Sequence, residues 1–195
     1  MIGVLKHSTV LLSVSFCVAV AIASTANAQT WVASTGTVDQ SSLLTYKFKD
    51  GAAFVRSGQL GKVVLRFNIL PVGDLLIPVT NACCEGRALW VRFLDNGEGA
   101  QVLVNLKQYN VITGKITTLL SFDSNDFPPQ PTFQDATPNT SLGPLVNFSF
   151  ATGPFNGALN QGGDSVYYLE ATLIRSNHGG NPGLASISIV RTLAP

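Results

Sequence analysis

The chain has 195 residues, 12 basic and 11 acidic side chains, a formal net charge of +1, 46% hydrophobic residues and three cysteines. So even a balance lacks the basic footprint that nucleic acid or anionic lipid selects, and neither is expected as a partner. The length suits one well-buried core and is awkward for two.

Residues 1–28 read as a cleavable export signal. Lys6 and His7 make a basic start, Val10 to Ala23 is an uncharged apolar run, and Ala26-Asn27-Ala28 offers small residues at both positions that signal peptidase accepts, which places cleavage after Ala28. The run is shorter than the ~18 to 20 residues of a bilayer span, and polar Ser24, Thr25 and Asn27 follow it. A secreted or periplasmic location is therefore expected. Losing Lys6 leaves eleven bases against eleven acids and His178 as the sole histidine. Residues 29–195 carry no further run long enough to span a membrane and are read as one domain.

Past the signal, hydrophobicity alternates with a period of two and is broken by Gly, Pro, Asn and Asp, the pattern of short strands joined by tight turns. In chain order the candidate strands are Leu43 to Lys49, Ala52 to Arg56, Lys62 to Leu70, Leu75 to Val79, Arg87 to Leu94, Ala100 to Val111, Lys115 to Phe122, Leu145 to Phe150, Ser165 to Arg175 and Leu184 to Arg191. No segment keeps a helical period. The fold class is all-β, an antiparallel β-sandwich of short strands, with a jelly roll as one topology that accommodates them. Residues 126–144 differ: Pro128, Pro129, Pro131, Pro138 and Pro144 bar a central strand, so this stretch is expected to cross between sheets with Phe127 and Phe133 as apolar anchors.

The middle of the chain allows a sharper expectation. Asn96-Gly97 suits a two-residue type I′ turn, which would pair Phe93 with Ala100, Val91 with Val102 and Leu89 with Val104. A three-residue loop at Ile112-Thr113-Gly114, with Gly114 left-handed, sets Val104 opposite Phe122 and Leu106 opposite Leu120. Both turns gather the apolar side chains on one face of a three-stranded meander. The opposite face then carries Trp90, Arg92, Gln101, Leu103, Asn105, Lys107, Tyr109, Thr117, Leu119, Ser121 and Asp123. Trp90, Arg92, Asn105, Lys107 and Tyr109 form a candidate ligand-binding set, because a ring can stack on a sugar while polar neighbours take its hydroxyls. The competing expectation is that Trp90, Leu103 and Leu119 pack beneath the proline-rich crossing.

Two further chemistries are open. Cys83 and Cys84 are adjacent in an exported protein, so a vicinal disulfide, two free thiols and an intermolecular bridge compete. The bridge is the expected state, strained because adjacent Cα atoms lie ~3.8 Å apart, below the ~4.4 Å at which disulfides usually begin. The meander would also bring Asp95, Glu98, Asp123 and Asp126 to one end, an oxygen-rich cluster that calcium could take; no other cofactor is expected.

Catalytic groups are sparse. His178 sits in the Gly- and Asn-rich connection Ser176 to Gly183, where an exposed turn residue is the ordinary case, and the spacing of the carboxylates singles out no pair. The leading expectation is a non-catalytic binding or surface-interaction module with an unidentified ligand, carbohydrate or protein surface. The alternatives are a polysaccharide-type hydrolase using paired carboxylates and a self-assembling surface subunit.

Overall fold

The computed structural model describes residues 29–69, 85–137 and 165–193. Eleven strands lie there, with no α-helix among the described residues: β1 Gln29–Val32, β2 Thr37–Val38, β3 Tyr46–Lys49, β4 Ala52–Val55, β5 Gly61–Asn68, β6 Glu85–Leu94, β7 Ala100–Asn110, β8 Ile116–Asp123, β9 Gln134–Ala136, β10 Ser165–Arg175 and β11 Gly183–Leu193. They form two antiparallel sheets, a sandwich as expected. The first runs β3-β4-β11-β6-β9, with β1 also paired to β11, and the second runs β2-β5-β10-β7-β8. The candidate strands at Leu75 to Val79 and Leu145 to Phe150 lie outside the described residues.

Alternation builds the core from both sheets. Leu89, Val91 and Phe93 of β6 and Leu184, Ile187 and Ile189 of β11 point inward from the first sheet. Val63, Leu65 and Phe67 of β5, Val102, Val104 and Leu106 of β7, Leu120 and Phe122 of β8, and Leu169, Ala171 and Leu173 of β10 answer from the second. Phe93 meets Phe122 edge-on at 5.0 Å between ring centroids, across the sandwich. Phe127 closes that end, stacked on Phe122 at 5.4 Å and tilted against Phe93 at 6.0 Å.

The expected meander is half right. β7 and β8 pair in the expected register, Val104 opposite Phe122 and Leu106 opposite Leu120, with Gly114 left-handed at φ 69°. A register shift after Leu106 then leaves Leu119 as an extra residue on β8, packed against the core, and turns Ile116 and Thr118 rather than Thr117 to the side of Tyr109 and Lys107. β6 and β7, however, do not pair. β6 pairs with β11 and β9, whereas β7 pairs with β10 and β8. The Asn96-Gly97 hairpin is overturned because Asn96 lacks the positive φ that a type I′ turn requires. Its side chain instead accepts the Asn181 N–H at 2.7 Å, fastening the 95–99 crossing to the 176–182 connection. The type I′ chemistry operates elsewhere, at Asp50-Gly51, where φ values of 52° and 81° join β3 to β4 with Lys49 opposite Ala52.

Two serines finish the edges of the second sheet. Where β2 gives out beside β5, the Ser42 hydroxyl accepts the Val64 N–H at 3.0 Å; where β8 gives out beside β7, the Ser124 hydroxyl accepts the Val102 N–H at 2.8 Å. Each serine sits in a short 3-10 turn capped by an aspartate, Asp39 or Asp123, and each is fully buried. A buried N–H needs a partner, and these hydroxyls supply it where the neighbouring strand ends.

Only the first part of the proline-rich stretch is described. After β8, residues 124–137 pass from the second sheet to the first, where β9 pairs with β6 through Val91 opposite Ala136 and Phe93 opposite Gln134. The remainder, 138–144, lies outside the described residues.

Candidate functional site

Because β6 and β7 belong to different sheets, the five candidate ligand residues do not share a surface. Trp90 and Arg92 stand on the outer face of the first sheet; Asn105, Lys107 and Tyr109 stand on the outer face of the second. The expected single mixed face is therefore two faces on opposite sides of the sandwich, and they differ in character.

The second-sheet face is closed on itself. The Lys107 ammonium lies 2.6 Å from Glu170, whose other oxygen is 3.1 Å from the Arg66 Nε, and Arg66 reaches Asp39 at 2.6 Å. Gln101 donates to both oxygens of Asp123 at 3.0 and 2.9 Å, and the Ser121 hydroxyl donates to Asn105 at 2.9 Å. Asp39 is held down to about 2, first by the Ser41 backbone N–H, then by the Ser41 hydroxyl and Arg66. Burial pushes the Glu170 carboxyl upward, but hydrogen bonds and charge from Lys107 and then Arg66 outweigh it and leave it below its ordinary value. Tyr109 lies opposite Val166 and Ile116 at the rim of this face.

Among the described residues the first-sheet face is the more exposed at Trp90 and Arg92. The two tryptophans of the chain make the contrast. Trp31 packs against the core and its indole N–H donates to the Asn68 carbonyl at 3.2 Å. Trp90 is 46% exposed, and its indole N–H has no protein partner among the described residues. Beside Trp90 on β11 lies Ser188, whose hydroxyl is 2.7 Å from that of Thr30 on β1. One row along, Arg92 is flanked by Ser186 on β11 and by Asp135 on β9, which accepts from Nη1 at 2.9 Å. One row further, Phe54 lies over Gly183, where an added Cβ would meet its ring at 2.8 Å, and packs edge-on against Phe133 at 5.9 Å. Gly183 thus lies buried beneath the Phe54 ring and Ser188 is buried against Thr30, so the accessible part of this face runs from the Phe54–Phe133 pair past half-buried Ser186 and exposed Arg92 to the Trp90 indole.

The sequence reading named Trp90, Arg92 and the anchor Phe133, which the structure places on this face, and did not name their neighbours Thr30, Ser186, Ser188 and Asp135. The alternation Ser186-Ile187-Ser188-Ile189 did carry a signal, since it turns two hydroxyls outward; nothing in the sequence paired Asp135 with Arg92.

The acidic end assembles only in part. The Asp95 and Asp123 segments do meet, but through Ser124, whose hydroxyl lies 2.5 Å from the buried Asp95 carboxylate. Asp123 is engaged by Gln101 and by the Asn125 N–H, while Glu98 and Asp126 are exposed. Among the described residues no three carboxylate, histidine or cysteine groups converge as a metal site would require. His178 is exposed on the 176–182 connection. Cys83 and Cys84 lie outside the described residues. No described helix is long and apolar enough to cross a membrane.

No protein-family model and no curated protein matches the sequence. Among solved structures the chain is similar to a family two carbohydrate esterase from Cellvibrio japonicus, at 14% identity and a TM-score of 0.37 over 87% of this chain and 36% of that one. It is also similar to a family 35 carbohydrate binding module from Clostridium thermocellum, at 13% identity and a TM-score of 0.39 over 84% and 97% of the two chains. An exo-beta-agarase is similar at 12% identity and a TM-score of 0.36 over 87% and 24%. The chain thus spans about a third of the esterase and a quarter of the agarase.

Proposed function

We propose that this protein is an exported, non-catalytic module that binds carbohydrate on the outer face of its first sheet, with Trp90 as the stacking platform. The observation that carries this reading is the Trp90 indole, a ring 46% exposed whose N–H has no protein partner among the described residues, beside Ser188, Thr30, Ser186 and the Arg92–Asp135 pair. A sugar presents an apolar C–H face and a rim of hydroxyls; a ring with hydroxyl, guanidinium and carboxylate neighbours complements both.

The hydrolase alternative fits the described carboxylates poorly. Glu170 is tied between two cations and kept below its ordinary pKa, the reverse of what a general acid needs, and Asp95 is spent on Ser124. The test is a glycan array on the mature protein followed by fluorescence titration of the hits. Trp90→Ala should weaken a hit by at least about thirtyfold, the ~2 kcal/mol of a binding hot spot, while Trp31 keeps a reporter in the chain. Hits unaffected by Trp90→Ala, or hydrolysis in place of binding, would reject the proposal.

A further inference from the structure

Resting on that reading, we infer that the carbohydrate is acidic, a chain bearing uronate carboxylates rather than a neutral one. The two outer faces of the sandwich carry different charge balances. On the second sheet the cations Lys62, Arg66 and Lys107 stand with the acids Asp39, Glu170 and Asp123, and five of these six groups already engage a protein partner. On the first sheet Lys47, Lys49 and Arg92 face outward with Asp135, and exposed Asp50 stands in the β3–β4 turn, three cations against two acids among the described residues. Among the described residues a surplus of one positive charge therefore lies on the face that holds Trp90, against an even balance on the other.

The placement of these cations suits a carboxylated chain. Lys47 stands over the Phe54 ring, 5.7 Å from its centroid, at one end of this outer face, and Trp90 stands at the other. Trp90 and Leu94, which lies beside Gly183, are four residues apart on β6, about 13 Å at the rise of a strand, which accommodates more than one sugar ring. Arg92 lies between. It gives only Nη1 to Asp135, and its other N–H groups have no protein partner among the described residues. The pair is 52% and 40% exposed, so solvent screens it and a competing carboxylate displaces it at little cost. A guanidinium fork takes a carboxylate through two parallel hydrogen bonds, which a neutral hydroxyl cannot match.

The probes are a galacturonate trimer and cellotriose, titrated against the mature protein by tryptophan fluorescence at 20 and 200 mM salt. The acidic trimer should bind about tenfold or more tighter than the neutral one, and its advantage should shrink several-fold at the higher salt. Lys47→Gln with Lys49→Gln, and separately Arg92→Lys, which keeps the charge but loses the fork, should each cut acidic binding toward the neutral level. Equal, salt-independent binding of both trimers that Trp90→Ala abolishes would overturn the charge inference and leave the carbohydrate reading intact. No binding of either trimer, together with an array on which no glycan hit depends on Trp90, would overturn both.

Discussion

Removing one buried hydroxyl at Ser124 should destabilise this domain several times more than truncating an exposed hydroxyl. The Ser124 Oγ accepts the Val102 N–H at 2.8 Å and lies 2.5 Å from the Asp95 carboxylate, and both Ser124 and Asp95 are buried, at 0% and 5% exposure. Ser124→Ala leaves a buried backbone donor without an acceptor, which costs about 1 to 3 kcal/mol, and strips a hydrogen bond from a buried acid, worth about 1.5 to 3 more. The vacated space is about that of one oxygen atom, too small for a water to enter and repair the loss. The two terms sum to about 2.5 to 6 kcal/mol, which for a domain of this size lowers the melting temperature by roughly 5 to 24 °C. Ser42→Ala, which orphans only the Val64 N–H at 3.0 Å, should cost about 1 to 3 kcal/mol. Ser121→Ala, an exposed hydroxyl on Asn105, should cost under about 0.5. Thermal melts and urea titrations of the three variants give the ranking. Equal losses at Ser124 and Ser121 would refute the claim that the hydroxyl stands in for a missing strand partner.

Phe93→Ala should cost about 3 to 5 kcal/mol, because the ring is fully buried between Phe122 and Phe127 where the two sheets meet, and a urea titration measures it directly. Acid should also destabilise the protein. Asp39 and Glu170 have folded pKa values below their ordinary ones, so their contribution is present above about pH 4.5 and lost as pH falls through the lowered values toward about 2. Melting temperatures measured from pH 6 to 2 should fall over that window, and Glu170→Gln should flatten part of the fall; an unchanged slope would contradict the pairing with Lys107 and Arg66.

How much of this was legible in the sequence depends on what a pattern of alternation encodes. Leu89, Val91, Phe93, Val102, Val104, Leu106, Leu120 and Phe122 were expected to share one buried side, and all are buried. The period of two establishes which side of each strand is apolar, because successive side chains point to opposite faces. It does not establish which strand supplies the hydrogen bonds. Two apolar strands that pair in one sheet and two that face each other across a sandwich bury the same residues, so the hairpin over Asn96-Gly97 and the observed crossing were indistinguishable by pattern. Turn chemistry was the only local discriminator, and the same dipeptide type could be satisfied either by its own backbone or by the distant Asn181 N–H.

The candidate site inherits that limit. Trp90 and Arg92 were visible as outward residues on one strand, but their true neighbours come from β1, β9 and β11, which lie tens of residues away in the chain. Strands inserted between sequence neighbours, β11 beside β6 and β10 beside β7, divided the expected polar face into two. Residue chemistry thus determined which side chains face water and which fill the core, whereas the long-range order of the strands decided which of the water-facing ones stand together, since that order is set by the packing of whole sheets and not by any local stretch of sequence.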